Sequence, residues 1–361
     1  MANRLGATCA LTIAVGLACA ALGSFAVDLD PLDPLAQPSA QSASAPAAFL
    51  VAATRAGDRL VAAGEAGVIV YSDDNGRSWK QARVPVSVSI TGLHFATPTQ
   101  GWAVGHSGVV LASGDGGQSW TLQLDGNRIA ALPETGGEVA ADAPPANPGD
   151  PLLDVYFSDP LHGHAVGAFG LLLSTADGGR TWVRRNGALP NPEGRHLYAI
   201  RPSGDALYVV GESGSIFVSH DHGTSFARVE SPYEGSFFGL ASPRPGELLV
   251  FGLRGNAFHS ADGGAHWSRI DAGTGASWTG AALLAAEGGQ PGVLMVSQSG
   301  EVAVSRDGGR SFSVMDQRLP SLSGVVATAD GRALATGVLG VKAFDLPAHA
   351  GQGEGGQGKG S

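Results

Sequence analysis

GWAVGHSGVVLASGDGGQSW, residues 101–120, is the stretch from which the fold is read. It holds two punctuation marks around a short apolar run. The first is Gly105-x-x-Gly108. The second is Ser113-x-Asp115-x-Gly117-x-x-Trp120, a pattern known as an Asp-box. Both recur along the chain, and internal repeats with a period of about 40 residues decide architecture before any local reading does. The Asp-box occurs six times, with aspartates Asp74, Asp115, Asp177, Asp221, Asp262 and Asp307 and closing aromatics Trp79, Trp120, Trp182, Phe226, Trp267 and Phe312. Successive aspartates are 41, 62, 44, 41 and 45 residues apart. The glycine pair occurs at 64–67, 105–108, 167–170, 211–214, 252–255 and 337–340, with one imperfect copy, Ser297 to Gly300. That makes seven units, of which the last has no Asp-box.

Between these marks lie short β-prone runs. In the second unit they are Ile90 to Ala96, Gly101 to Gly105, Val109 to Ser113 and Ser119 to Leu124. Four strands per period is the pattern of a propeller blade. The chain is therefore expected to be all-β, a seven-bladed β-propeller over residues 49–346. The Asp-box falls on the hairpin between third and fourth strands. Its carboxylate can accept backbone N–H groups of its own turn. Gly76 and its equivalents suit the left-handed conformation such a turn needs, and the aromatic closes the hairpin by packing. This is turn chemistry, not catalysis. Unit seven (Leu322 to Leu346) shows three strands, and residues 27–48 read as a linker or as the closing outer strand. The long gap places an insert loop at 125–151, on the face of the Gly-x-x-Gly hairpins and opposite the Asp-boxes. The Gly-rich tail, 347–361, reads as disordered.

The chain is poor in charge, at 15%, and rich in glycine, with 55 residues. The net charge of −10 argues against a nucleic-acid partner. Arg4, the apolar run from Ala10 to Leu22 and the small residues Ser24 and Ala26 read as a cleaved signal peptide, residues 1–26, for export to the periplasm. Both cysteines, Cys9 and Cys19, lie inside it. The mature protein is left with no disulfide and no thiolate chemistry.

Asp-boxes of this kind also occur in sialidases, some glucanases and sortilin-type receptors. A sharper resemblance is carried by Gly101-Trp102-Ala103-Val104-Gly105 leading to Ser119-Trp120, and by His164-Ala165-Val166-Gly167 leading to Thr181-Trp182. In these passages, and over about residues 49–346, the chain resembles the photosystem II assembly and stability factor family. The resemblance implies a seven-bladed, non-catalytic helper that binds a membrane protein during assembly. Photosynthetic members carry an arginine-rich surface, whereas this chain is acidic. It therefore reads as a non-photosynthetic bacterial relative, an accessory to membrane machinery such as an exporter.

A sialidase would need an arginine cluster ahead of the first Asp-box and a tyrosine nucleophile late in the chain. Arg83-Val84-Pro85 follows that box, and Tyr71, Tyr156, Tyr198, Tyr208 and Tyr233 all lie earlier. A carboxylate-pair glycosidase needs two acids across the pore. Asp154 and Glu287 lie near inner strands, but nothing in the sequence pairs them. No catalytic residue, cofactor or metal site is expected. His162 with His164, and His220 with His222, read as surface histidines at turns rather than ligand pairs. Two groups are candidates for partner binding. One is a set of arginines around blades three and four: Arg180, Arg184, Arg185, Arg195 and Arg201, suited to an acidic loop. The other is a set of hairpin tips on the insert face, with Phe169, Leu253, Arg254 and Leu339. The expected function is a monomeric exported scaffold that binds an inner-membrane protein or exporter, with no small-molecule substrate. The alternative is a carbohydrate-binding or glycoside-hydrolase-like propeller.

Overall fold

A computed structural model describes residues 33–137, 147–287 and 290–347. Residues 1–32, with the expected signal peptide, residues 138–146 of the insert, residues 288–289 and residues 348–361 lie outside the described residues. Within them the chain forms seven antiparallel sheets, six of four strands and one of three. The expected seven-bladed propeller is what the chain adopts. Blade two shows the plan: Ile90–Phe95 inside, then Gly101–Gly105, Val110–Ser113 and, outermost, Thr121–Leu124. The innermost strands of the other blades are Leu50–Ala56, Leu152–Phe157, Leu197–Ser203, Phe237–Arg244, Trp278–Glu287 and Leu322–Ala327.

The Asp-box turns follow the chemistry read from sequence. In the first, Asp74 Oδ1 accepts from the Ser78 N–H at 2.8 Å and Oδ2 accepts from the Ser78 hydroxyl at 2.6 Å. The Ser72 hydroxyl accepts from the Gly76 N–H at 2.8 Å. Gly76 sits at φ +83°, where a side chain would be strained.

The aromatics reach further than their own hairpins. Trp120 packs with Val61 and Ile69 of blade one, and Trp182 with Trp102 and Val104 of blade two. Phe226 packs into blade three, and Trp79 against Leu334 of blade seven. Each wedges into the seam with the preceding blade. That blade reaches back with a side chain from its second strand. Arg59 donates to Gly116 O, Trp102 Nε1 to Gly178 O, Tyr208 to Gly263 O and Arg332 to Asn75 O, at 3.0 to 3.3 Å. His164 Nε2 lies 3.1 Å from His222 O, and Glu247 meets Arg310 of the sixth box at 2.5 Å. The Asp-box is thus a joint between blades. Only the seam between blades six and seven lacks this joint among the described residues, because blade seven has no box.

Blade seven is Leu322–Ala327, Arg332–Gly337 and Gly340–Asp345. Residues 33–48 do not supply its fourth strand, which corrects that alternative. They run along the outside of blade one instead, where Ser39 N bonds Val84 O at 3.0 Å and Ser87 N bonds Pro34 O at 2.8 Å. The turn Ala45–Ala47 then covers only the start of the last strand of blade seven, since a Cβ on Gly340 would meet Pro46 O at 1.9 Å. Among the described residues the ring closes without an exchanged strand. Arg332 bonds Asn75 O, Arg55 bonds Ala327 O at 3.3 Å, and Arg77 faces Asp330 at 3.6 Å.

The insert begins with a short helix, Gly126–Ala130, capped by Asp125, whose carboxylate accepts from Arg128 N at 3.1 Å. It then lies on the outer edge of blade three through Thr135 N to Arg184 O and Arg184 N to Pro133 O. No helix of the described residues is long and apolar enough to cross a membrane.

Candidate functional site

All seven inner strands share a local pattern that the sequence also carries. A large buried residue comes first: Leu50, Ile90, Leu152, Leu197, Phe237, Trp278 and Leu322. A register shift follows in every blade, so the second residue is bulged out of the ladder. Bulges re-aim side chains. Here they build a ring of half-buried residues around the axis: Val51, Thr91, Leu153, Tyr198, Phe238, Thr279 and Ser323. The third residue is small, because the strands converge. A Cβ on Gly92 would stand 3.0 Å from Asp154 Cα, and one on Gly280 3.0 Å from Gly324 Cα. The ring encloses an axial channel of about 190 Å3.

Blade three breaks the pattern. Its third residue is Asp154, where the other six blades place Gly or Ala. The carboxylate is buried, accepts from Ile200 N at 2.9 Å and pairs with the Arg201 guanidinium. Nearby, His94 contacts Tyr156 at 5.0 Å between centroids, and its Nε2 lies 2.9 Å from Phe157 O. Burial, with the Arg201 charge, pulls the His94 pKa down to about 4. Its imidazole is neutral at neutral pH. Asp154 is the one carboxylate lining the channel among the described residues, and it is already engaged. A glycosidase would need a second acid across from it.

From the channel an aromatic ladder runs outward on the Gly-x-x-Gly face. Phe238 meets Tyr198 at 5.4 Å between centroids, Tyr198 meets His196 at 6.3 Å and His196 meets Phe169 at 4.9 Å. The Phe169 N–H donates to His196 Nδ1 at 2.9 Å, which fixes that ring. Phe169 occupies the left-handed position of its hairpin, at φ +54°. The same position holds Ala66, Ser107, Ser213 and Arg254 in other blades. A bulky aromatic there is a strained choice, and its side chain is 50% exposed. Leu339, on the tip of blade seven, is 53% exposed, and Arg254 is exposed. Leu253 is half-buried instead.

The structure does not gather the five arginines into one patch. Arg180 is exposed in the third Asp-box, and Arg184 and Arg185 follow on the outer edge of blade three. Arg195 lies on the opposite face, 3.9 Å from Glu193. Arg201 belongs to an inner strand and is bound to Asp154. Spacing along the chain could not separate these environments, because one propeller blade passes through all of them. Sequence reasoning also missed Tyr198 and Phe238. The signal was present as a third repeat: Leu50-Val51-Ala52, Ile90-Thr91-Gly92, Leu197-Tyr198-Ala199, Phe237-Phe238-Gly239 and their equivalents, with Asp154 as its exception. The paired histidines do not act together: His162 Nδ1 meets Asp159, and His164 meets Ser174 and His222 O. No three His, Cys, Asp or Glu side chains among the described residues are placed to hold a metal ion.

Comparison with known proteins bears out the resemblance. The family model described as photosynthesis system II assembly factor YCF48 matches residues 146–234. The photosystem II assembly lipoprotein Ycf48 of Synechococcus sp. (strain CC9902) is 37% identical over 84 residues, which span 23% of this chain and 24% of that protein. Among solved structures, YCF48 bound to D1 peptide superposes with a TM-score of 0.62 at 14% identity, over 84% of this chain and 94% of that one. A GH74 xyloglucanase from Xanthomonas campestris superposes with a TM-score of 0.58 at 14% identity, over 82% and 52%. At such identities the solved structures speak for the fold alone.

Proposed function

We propose that this chain, a Ycf48-like seven-bladed propeller, is a non-catalytic exported scaffold that docks a polypeptide segment of a membrane-protein partner. The docking face is the one bearing the Gly-x-x-Gly hairpins. A single observation carries the reading: the ladder from Phe238 through Tyr198 and His196 to the exposed, strained Phe169. Aromatic anchors that lead from a rim into a concavity are what polypeptide hot spots are made of. Arg254 stands exposed on the same face and offers a charged contact. The matched relative is named an assembly lipoprotein, and a solved YCF48 holds a D1 peptide. Both support a polypeptide partner at a membrane. Residues 1–26, read from sequence as a signal peptide, support export to the periplasm, where an inner-membrane protein or exporter is the partner and the propeller acts as a monomer.

The second reading is a glycan-acting propeller, favoured by the shared fold of the GH74 xyloglucanase. Asp154, the one channel carboxylate among the described residues, is bound by Arg201 and speaks against it. The test is capture of the partner by the tagged protein and by its Phe169→Ser variant. At least a tenfold loss, about 1.4 kcal/mol, with unchanged melting is the expected result. Full binding by the variant would remove this face from the account.

A further inference from the structure

On the opposite face, between blades three and four, lies a cavity of about 730 Å3. That is within the range of small-ligand sites. Val183, Pro202, Ala206 and Leu207 give it apolar lining. Most of its polar groups are already committed. The Thr175 and Thr181 hydroxyls donate to Asp177. His164 bridges Ser174 and His222 O, and His162 meets Asp159. Gly223 allows the His164 bridge, since a Cβ there would fall 2.3 Å from the ring.

Several donors keep spare capacity, those of Arg185, Tyr156 and His222 among them. Arg185 spans the groove, with Nη2 on Thr224 O at 2.6 Å, yet its Nε is buried with no hydrogen-bond partner. It pairs with no carboxylate among the described residues. The Tyr156 hydroxyl and the His222 ring make no hydrogen bond among the described residues either. Burial raises the Tyr156 pKa, so its hydroxyl stays a donor. A guanidinium with no carboxylate partner, sharing one cavity with two spare donors, is complementary to an oxyanion. Asp159 and Asp205 line the same cavity, so a dianion would be repelled. The apolar lining suits a ligand with an apolar body.

We propose that this groove binds a single carboxylate carried on an apolar body, with Arg185 taking the carboxylate. The carboxylate can come from a free organic acid or from one acidic side chain of an apolar peptide segment. The site is separate from the docking face, and loss of either leaves the other standing.

The test is calorimetric titration of the full chain at low salt with three probes. These are octanoate, its neutral isostere octanamide, and a capped peptide with one glutamate between leucines. Octanoate or the peptide should saturate, octanamide should not, and Arg185→Gln should weaken binding at least tenfold. Tyr156→Phe, which keeps the packing, should weaken it several-fold with unchanged melting. Tighter binding of the peptide than of octanoate assigns the source to a polypeptide, and the reverse assigns it to a free acid. The proposal is overturned if neither acid saturates, if octanamide binds as well, or if both variants bind as the parent does.

Discussion

His164 and His94 are histidines whose chemistry is changed by the fold. Burial is the first cause in both, and it draws each pKa down to about 4. Their unfolded value is near 6.5. Between these values the unfolded chain holds more protons, so stability falls as pH drops from about 6.5 to about 4 and is fully present above that window. Urea unfolding across pH 7 to 4 should show this slope, and His164→Gln should flatten it. Lower in pH the Asp-boxes take over. Hydrogen bonds from Ser225 hold Asp221 at about 2, and those from His266 hold Asp262 at about 2. These pKa values are depressed, so their contribution is present above the ordinary carboxylate range and is lost as pH falls toward 2. Sequence alone announced the boxes. It could not announce the two histidines, because neutral burial depends on what neighbouring blades bring to them.

Each Asp-box turn joins two blades, and its parts differ in what they hold. Trp182→Ala removes a buried wedge from the seam with blade two and should cost about 3–5 kcal/mol. Asp115→Ala strips acceptors from its own turn and should cost about 1–3 kcal/mol. Chemical denaturation of the two variants checks both. Blade seven has three strands and no box, so blade six reaches it without the joint the other seams share, through Thr279 Oγ1 to Leu322 O at 2.9 Å. Its edge strand, Gly340–Asp345, should exchange amide hydrogens faster than the third strands of the other blades, which lie under a fourth. Equal protection would show that another contact holds that seam. The boxes and glycine pairs were legible because one turn geometry demands one residue pattern. The joints were not, because Arg59, Trp102, His164, Tyr208, Glu247 and Arg332 perform one task with five kinds of side chain.

At the scale of the whole molecule, seven similar blades make a surface whose differences carry the function. Six inner strands place Gly or Ala where blade three places Asp154, and four hairpins place small or flexible residues where blade three places Phe169. Both exceptions fall in the third blade, within residues 146–234, where the likeness to the YCF48 family is also detected. The sequence showed Phe169 as a candidate tip but not the ladder behind it, since Tyr198 and Phe238 are brought to it by the packing of successive blades. The arginines illustrate the opposite error. They are near one another in sequence, and blades three and four distribute them to two faces, an outer edge and an inner strand. The central claim is that a membrane-protein segment docks on the Gly-x-x-Gly face. The direct measurement is in-cell photo-crosslinking with the probe amino acid placed at Phe169, at Leu339, and at Arg269 on the outer edge of blade five. Adducts to one inner-membrane protein from 169 and 339, and none from 269, are the predicted result. Adducts from 269 alone, or none from any position with glycan binding in their place, would contradict it.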